Sequence, residues 1–430
     1  LEKKEWLPPG FEYRAGELWL EEVSLESLAR KFGTPCYVYS AGAIRAAYRR
    51  YQAGFAGASL DLSLCYAVKA NSNLEILRLL GGAGAGADVV SAGELYRAIS
   101  AGIPAGKIVF AGVGKTQAEI DYALERNIRA FNLESAGELA LLDRRAQALD
   151  KTGVGVSLRF NPDVEVHTHA YITTGKKSNK FGLPAATIRQ LSQEINRSPA
   201  LKLRGLQMHI GSQLLQIEPV VAAFEKLLDL AAEVEALTGQ ALEYLDIGGG
   251  LGASYSGEIP PRPADLALAL AAAMAKRAVT YPLLAEPGRY LVAEAGSLLT
   301  EVLYLKGGDE GETNFAIVDA GMNDLLRPAL YQASHKIVPL KVPDSPDHRL
   351  YEVVGPVCET GDWLGHGISL AGLRGGEHLA ILSAGAYGFA MASNYNSRPR
   401  PPEILVDGPD CRLIRRRETF EDLVAAEIDL

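Results

Sequence analysis

Lys69 lies in Tyr66-Ala67-Val68-Lys69-Ala70-Asn71, at the end of the apolar run Leu64 to Val68. An amine held between apolar walls loses basicity and becomes a nucleophile, although a lone strand-end lysine is more often simply solvated. Asp246-Ile247-Gly248-Gly249-Gly250 ends another apolar run with three residues that lack side chains. Such backbone lets several N–H groups converge on one phosphate; a tight turn at positive φ would also call for glycine. Glu286-Pro287-Gly288-Arg289 closes a third run with a carboxylate. Nucleophilic amine, phosphate cradle and buried carboxylate together suit pyridoxal 5'-phosphate, with Lys69 bonded to the aldehyde carbon, phosphate at Gly248, Gly249 and Gly250, and Glu286 against the ring nitrogen. In His209-Ile210-Gly211-Ser212, His209 can lie as a flat ring against that cofactor or be an ordinary structural histidine.

These residues need a scaffold that brings strand ends together. Four times the sequence sets Ser or Thr three residues before Glu, at Ser72/Glu75, Ser91/Glu94, Thr116/Glu119 and Ser135/Glu138. Each reads as a helix start, and the apolar residues that follow fall at helical spacing, as in Ile120, Ala123 and Leu124 or Leu139 and Leu142. Ahead of the boxes stand short apolar runs at Leu64 to Val68, Ala87 to Val90, Ile108 to Ala111 and Ala130 to Leu133. Strands buried on both faces look like this. Further runs at Val154 to Phe160, Leu203 to Ile210, Tyr244 to Ile247 and Pro282 to Ala285 bring the count to eight, with a long insertion at His167 to Ser178. Eight strands alternating with helices predict a (β/α)₈ TIM-type barrel, whose chemistry belongs at the carboxyl ends of the strands.

Beyond residue 296 the texture changes to strand-like segments parted by turns: Val302 to Leu305, Phe315 to Val318, Ile337 to Val342, Leu350 to Val354, His378 to Leu382 and Glu403 to Val406, with a terminal helix at Phe420 to Ile428. The fold class is thus α/β plus all-β, a barrel followed by a C-terminal antiparallel β domain. Expected limits are 40–295 for the cofactor-binding barrel and 296–430 for the β domain. The segment 1–39, extended over Trp19 to Tyr39, is expected to pack with the latter.

Composition narrows the function. Charged residues are 22% and hydrophobic ones 48%, a globular balance, and 52 Asp plus Glu outweigh 43 Lys plus Arg for a net charge of −9. The densest basic run is Arg415-Arg416-Arg417, so neither nucleic acid nor an anionic membrane is an expected partner. The longest apolar run, Leu266 to Ala275, is too short to span a bilayer, and the first residues show no secretory signal. Cys36, Cys65, Cys358 and Cys411 form no CxxC pair, which favours a reducing, cytoplasmic setting. His167-Thr168-His169 has no further ligands at metal-site spacing, and no metal is expected.

The strand-end motifs, including His209-Ile210-Gly211-Ser212-Gln213, resemble the alanine-racemase-fold decarboxylases of basic amino acids, which use pyridoxal phosphate. Gly355-Pro356-Val357-Cys358-Glu359-Thr360-Gly361-Asp362 and Gly385-Ala386-Tyr387 resemble the same family in its second domain, so the likeness runs the length of the chain. Within the family, Gly321 to Tyr331 and the Glu359 after Cys358 look most similar to the branch acting on diaminopimelate. Small departures occur at Ala92 and Thr360, where Gly and Ser are common in the family; neither removes a functional group.

The resemblance implies that Lys69 and Cys358 are catalytic, Cys358 donating a proton from a partner subunit of a homodimer with shared active sites. Taken alone, Cys358 would more often be a small buried hydrophobe. Lys69, His209, Ser212, Gly248, Gly249, Gly250, Glu286, Gly288, Arg289 and Tyr387 are implied to hold the cofactor. Arg289 and Arg327 are implied to take the carboxylate of an amino-acid substrate, Glu359 its distal ammonium, with Tyr331 and Tyr387 adding hydroxyls. A carboxylate against the ring nitrogen keeps it a pyridinium and a strong electron sink, which favours decarboxylation over racemisation, where an Arg usually faces that nitrogen. Three readings stay open beside this one: an ornithine or arginine decarboxylase of the same fold, a carboxynorspermidine decarboxylase, and a catalytically silent cofactor-binding relative.

Overall fold

A computed structural model describes residues 6–164, 180–307, 313–343 and 347–428; the insertion with His167 and His169 lies outside the described residues. The chain divides into two compact units. One comprises Leu1–Ala46, Ala253–Ile259 and Leu291–Leu430, the other Ala47–Gly252 and Pro260–Tyr290.

The first elements belong to the sheet unit. β1 (Phe11–Arg14), β2 (Glu17–Leu20) and β3 (Val23–Ser24) form a small antiparallel sheet. The extended reading of Trp19 to Tyr39 is corrected at α1 (Leu25–Phe32), where Ser24 accepts from the Ser27 N–H and Leu25, Leu28 and Ala29 are buried on one face. Helical spacing over eight residues outweighs the flanking strands there. β4 (Cys36–Ser40) then enters the large sheet described below, and α2 (Ala41–Gly57) follows it.

The closed barrel is built from β5 (Leu62–Ala67), α3 (Leu74–Gly82), β6 (Gly86–Val89), α4 (Ala92–Ser100), β7 (Ile108–Phe110), α5 (Gln117–Arg126), β8 (Ala130–Leu133) and α6 (Ala136–Ala148). It continues through β9 (Val154–Phe160), α7 (Ala185–Arg197), β10 (Leu201–Met208), α8 (Glu218–Thr238), β11 (Tyr244–Asp246), α9 (Pro263–Lys276) and β12 (Leu283–Ala285). All eight strands pair in parallel, and β12 closes on β5 through Leu283↔Leu62. The expected strand set and topology are therefore present.

Helix starts follow the sequence with one correction. Thr116 and Glu119 form the reciprocal box at α5. Ser91 and Ser135 cap α4 and α6, but Glu94 and Glu138 reach one residue further back, to the Val90 and Glu134 N–H groups. At α3 the cap is Asn73, not Ser72, its Oδ1 accepting from the Glu75 N–H at 3.0 Å. Asn and Ser are near-equal caps, so spacing alone could not separate neighbours; each such cap is worth ~1 kcal/mol.

After the barrel come α10 (Arg289–Val292), β13 (Gly296–Lys306), β14 (Phe315–Val318), α11 (Arg327–Tyr331), β15 (Ile337–Pro339), β16 (His348–Val354), β17 (Trp363–Ala371), β18 (His378–Ile381), β19 (Glu403–Asp407), β20 (Asp410–Arg415) and α12 (Phe420–Val424). β17 and β20 were not anticipated, and α12 is shorter than expected. β4 pairs with β13 antiparallel and with β19 parallel, so the early segment is an interior strand of this mostly antiparallel, nine-stranded sheet. Leu18, Leu20, Leu28, Val38, Leu299 and Ile404 share its core.

Candidate active site

In the barrel unit, Lys69 rides on the single turn Val68–Ala70 that ends β5. Its Nζ donates to Asp88 Oδ2 at 2.7 Å, and Asp88, next door on β6, is fully buried. Gly288 allows the chain leaving β12 to cover this turn: a Cβ there would stand 3.0 Å from the Cβ atoms of Ala67 and Ala70. The lysine is thus fixed by its own strand end and by an acid that sequence reasoning passed over.

The glycines pack against neighbouring strand ends too closely for any side chain. A Cβ on Gly248 would lie 2.4 Å from the Met208 carbonyl oxygen, one on Gly249 2.3 Å from that of Glu286, and one on Gly250 2.6 Å from that of Gly211. Gly248 and Gly250 also hold positive φ, 66° and 116°. The Gly249 N–H donates to His209 Nδ1 at 3.3 Å. Burial, then the Arg159 and Lys69 charges, pushes the His209 imidazole well below its ordinary range, so the ring is neutral. Arg289 Nε and Nη2 each lie 3.1 Å from Ser212 Oγ, pinning that hydroxyl to the first residue of α10.

Glu286 follows β12 and is buried. Asn132 Nδ2 on β8 donates to its Oε1 at 3.0 Å, and Gln207 Nε2 on β10 donates to its Oε2 at 3.1 Å. Nearby, Arg159 on β9 bonds Glu134 at 2.9 Å, and Lys115 bonds Glu138 at 2.6 Å, both pairs buried. Lone polar residues inside otherwise apolar runs, as in Ala87-Asp88-Val89, Phe131-Asn132-Leu133 and Leu206-Gln207-Met208, were the available signal for these groups.

The sheet unit carries the remaining candidates. Arg327 opens α11 and is buried; its Nη1 donates to His335 Nε2 at 2.7 Å, and its guanidinium lies 4.2 Å from the centre of the Tyr255 ring. His335 is fixed in turn by Nδ1–H donating to the Leu382 carbonyl at 2.9 Å. Tyr331 ends the same helix, half-buried. Neither Tyr255 nor His335 was anticipated.

Cys358 and Glu359 stand exposed on the loop between β16 and β17. The buried small hydrophobe that a free cysteine usually is does not describe Cys358. Asp362, buried, organises this loop: Oδ2 accepts from Val357 N–H at 2.7 Å and Oδ1 from Met322 N–H at 2.6 Å, so it ties the two family-like motifs together. Tyr395 Oη donates to Glu359 Oε1, and Asn396 Oδ1 accepts from the Cys358 N–H at 3.3 Å. Tyr387 is half-buried and itself holds φ 56°, beside Gly385, where a Cβ would stand 1.9 Å from the Val292 carbonyl oxygen.

Comparison with known proteins gives the architecture a lineage. Residues 41–293 match the pyridoxal binding domain of the pyridoxal-dependent decarboxylases. A diaminopimelate decarboxylase of Aquifex aeolicus is 45% identical over 425 residues, covering 98% of each chain. One of Pseudomonas aeruginosa is 48% identical over 419 residues, covering 97% of this chain and 98% of its own. The chain belongs to the diaminopimelate decarboxylase family. A solved structure of such an enzyme from M. jannaschii, in complex with L-lysine, superposes with a TM-score of 0.93 at 40% identity and 99% coverage of both chains.

The cofactor of the family is pyridoxal phosphate, and the barrel residues fit it. Gly248, Gly249 and Gly250 lie so close to the carbonyls of Met208, Glu286 and Gly211 that only glycine is accommodated, Gly248 and Gly249 giving their N–H groups to Asp246 and His209, and the buried acid has both oxygens oriented by amides. The amine and Arg289 supply the cationic contacts an anionic aldehyde needs. Among the described residues no group of three or more His, Cys, Asp or Glu could hold a metal ion, and no helix is long and apolar enough to cross a membrane.

Proposed function

We propose that this chain decarboxylates meso-2,6-diaminopimelate to L-lysine and carbon dioxide, the last step of lysine biosynthesis, in the cytoplasm. The observation that carries the reading is the grip on Glu286: two amide donors, one on each oxygen, hold a buried carboxylate in the barrel with the lysine and the glycine cradle. Pyridoxal phosphate, when bound, supplies an aldehyde carbon for amines and a ring that accepts the electron pair left by carbon dioxide.

Lys69 would bind the aldehyde carbon of the cofactor, and Asp88 would hold the Lys69 amine in place. Glu286 holds the proton at the ring nitrogen. His209, uncharged, would pack against the cofactor without competing for that proton. Gly248, Gly249, Gly250, Ser212, Gly288 and Arg289 hold the phosphate, and Tyr387 adds its hydroxyl. Cys358 Sγ–H delivers a proton to the substrate α-carbon after carboxylate loss.

Arg289 and Arg327 bind the distal carboxylate with Tyr331, and Glu359 binds the distal ammonium. Burial of Arg327 supports this choice, since a ligand lacking the carboxylate would leave a desolvated guanidinium poorly matched. The relatives' shared name and the L-lysine in the M. jannaschii structure point the same way.

The active form is a homodimer with two shared sites, each using Lys69 of one copy and Cys358 with Glu359 of another. The exposure of both residues on a loop braced by Asp362 supports presentation to a second copy. Residues 40–295 serve as the cofactor-binding module and 296–430, with 1–39, as the module that supplies the thiol. The test is carbon dioxide release from diaminopimelate, ornithine, arginine and carboxynorspermidine by the purified protein. Release from diaminopimelate alone is expected; release from another substrate, or none at all, overturns the reading.

A further inference from the structure

Asp246 ends β11 with no exposure to solvent. Its Oδ1 accepts from the Gly248 N–H at 2.8 Å, fixing the first glycine of the cradle. Its Oδ2 is buried and receives no donor from any other side chain or N–H among the described residues. Asp246 is in register with Leu284, two residues before Glu286, so the two carboxyls fall on the same face of neighbouring strands and interact directly. Two carboxylates this close in a dry interior cannot both be charged, so the pair keeps one proton.

The surrounding donors decide which oxygen carries it. Glu286 has an amide N–H on each oxygen, from Asn132 and Gln207; turning either amide over would set a carbonyl oxygen against the carboxyl. These two bonds stabilise charge on Glu286, and Asp246 has only one comparable bond. Lys69 and Arg159 bring positive charge that acts on Glu286, whereas Asp88 adds negative charge to both acids. Tyr51, Tyr244 and Cys65, whose charge would act on this pair, are neutral, their ionisation pushed up by burial. Burial, then Glu286, lifts Asp246 well above the carboxylate range; Glu286 rises to about 7, chiefly through its own burial.

We propose that Asp246 is a protonated positioning residue, donating Oδ2–H to Glu286 while Oδ1 holds the Gly248 N–H. One neutral acid then ties the phosphate cradle to the group that faces the ring nitrogen. The backbone repeats the link, since Glu286 N–H donates to the Gly248 carbonyl at 2.8 Å. The proposal rests on the reading of Glu286 as the ring nitrogen's partner, but the shared proton belongs to the two side chains alone.

The test compares Asp246→Asn and Asp246→Ala in the holoenzyme. Asn keeps one donor and one acceptor and cannot be charged, so it should hold pyridoxal phosphate nearly as wild type does; Ala removes both bonds and should weaken binding at least about tenfold. Infrared difference spectra at neutral pH should show the carbonyl stretch of a protonated carboxylic acid in wild type and its loss in Asp246→Asn. Asn as damaging as Ala would mean that an anion is required, and absence of the acid band from wild type would remove the shared proton; either result overturns the proposal. If Ala does not fold, the Asn variant and the infrared band still decide. A cofactor spectrum unchanged in Glu286→Gln would instead overturn the role of Glu286, independently of the band.

Discussion

Gly249→Ala tests the cradle more sharply than removal of any side chain would. Gly249 does not have positive φ, so alanine there meets no conformational penalty and the whole effect comes from space. The added Cβ would lie 2.3 Å from the Glu286 carbonyl oxygen and 3.1 Å from its carbonyl carbon, about 1 Å short of ordinary contact with the former. The obstacle is backbone, and Glu286 is further fastened by its N–H to the Gly248 carbonyl at 2.8 Å. Relief requires β11 and β12 to part at their carboxyl ends, an overpacking cost of about 1–3 kcal/mol. The same movement displaces the cradle from Glu286, and misplacement by about 1 Å at a reacting site costs on the order of a hundredfold in rate. Gly93→Ala is the control, since its Cβ would meet only Ser91 Oγ at 3.8 Å in α4. Absorbance titration with pyridoxal phosphate, turnover and urea unfolding of both variants give the answer. Gly249→Ala should lose affinity, turnover and stability together while Gly93→Ala loses none. A Gly249→Ala protein that binds cofactor and unfolds like wild type would show that the cradle does not depend on bare backbone.

Three further outcomes are expected. Borohydride reduction of the holoenzyme followed by peptide mapping should leave the pyridoxyl group on Lys69, and a label on any other lysine refutes its role. Arg327→Ala should raise KM for diaminopimelate by the worth of a charged hydrogen bond, about 1.5–3 kcal/mol or roughly 10–150-fold. It should also lower stability, because His335 and Tyr255 lose the guanidinium between them; unchanged KM would remove Arg327 from the site. Mixing inactive Lys69→Ala and Cys358→Ala proteins under subunit exchange should restore up to about a quarter of wild-type activity, and no recovery despite exchange would show that sites are not shared.

What could be read from the sequence was local. Thr116 and Glu119 signal a helix start because both halves of the box lie within one turn, and Val154 to Phe160 signals a buried strand because all of it beyond Val154 is buried whichever neighbour it meets. Lys69 and the glycines could be named as candidates because a barrel puts function at strand ends before any contact is known. The groups that were missed are defined by pairing across the barrel. Asn132 and Gln207 mean nothing until closure sets β8 and β10 around Glu286, 154 and 79 residues distant in sequence. Asp88 belongs to the lysine only because Ala67 and Asp88 are in register. Arg327 could be named as a candidate, but its partners Tyr255 and His335 could not, because only the folded sheet unit encloses the guanidinium between them. A polar side chain in the last positions of a strand that is otherwise apolar must find a partner inside the fold or cost several kcal/mol. Three such residues here, Asp88, Asn132 and Gln207, bond Lys69 or Glu286, so the exceptions to the apolar pattern point to the same candidate groups as the motifs do.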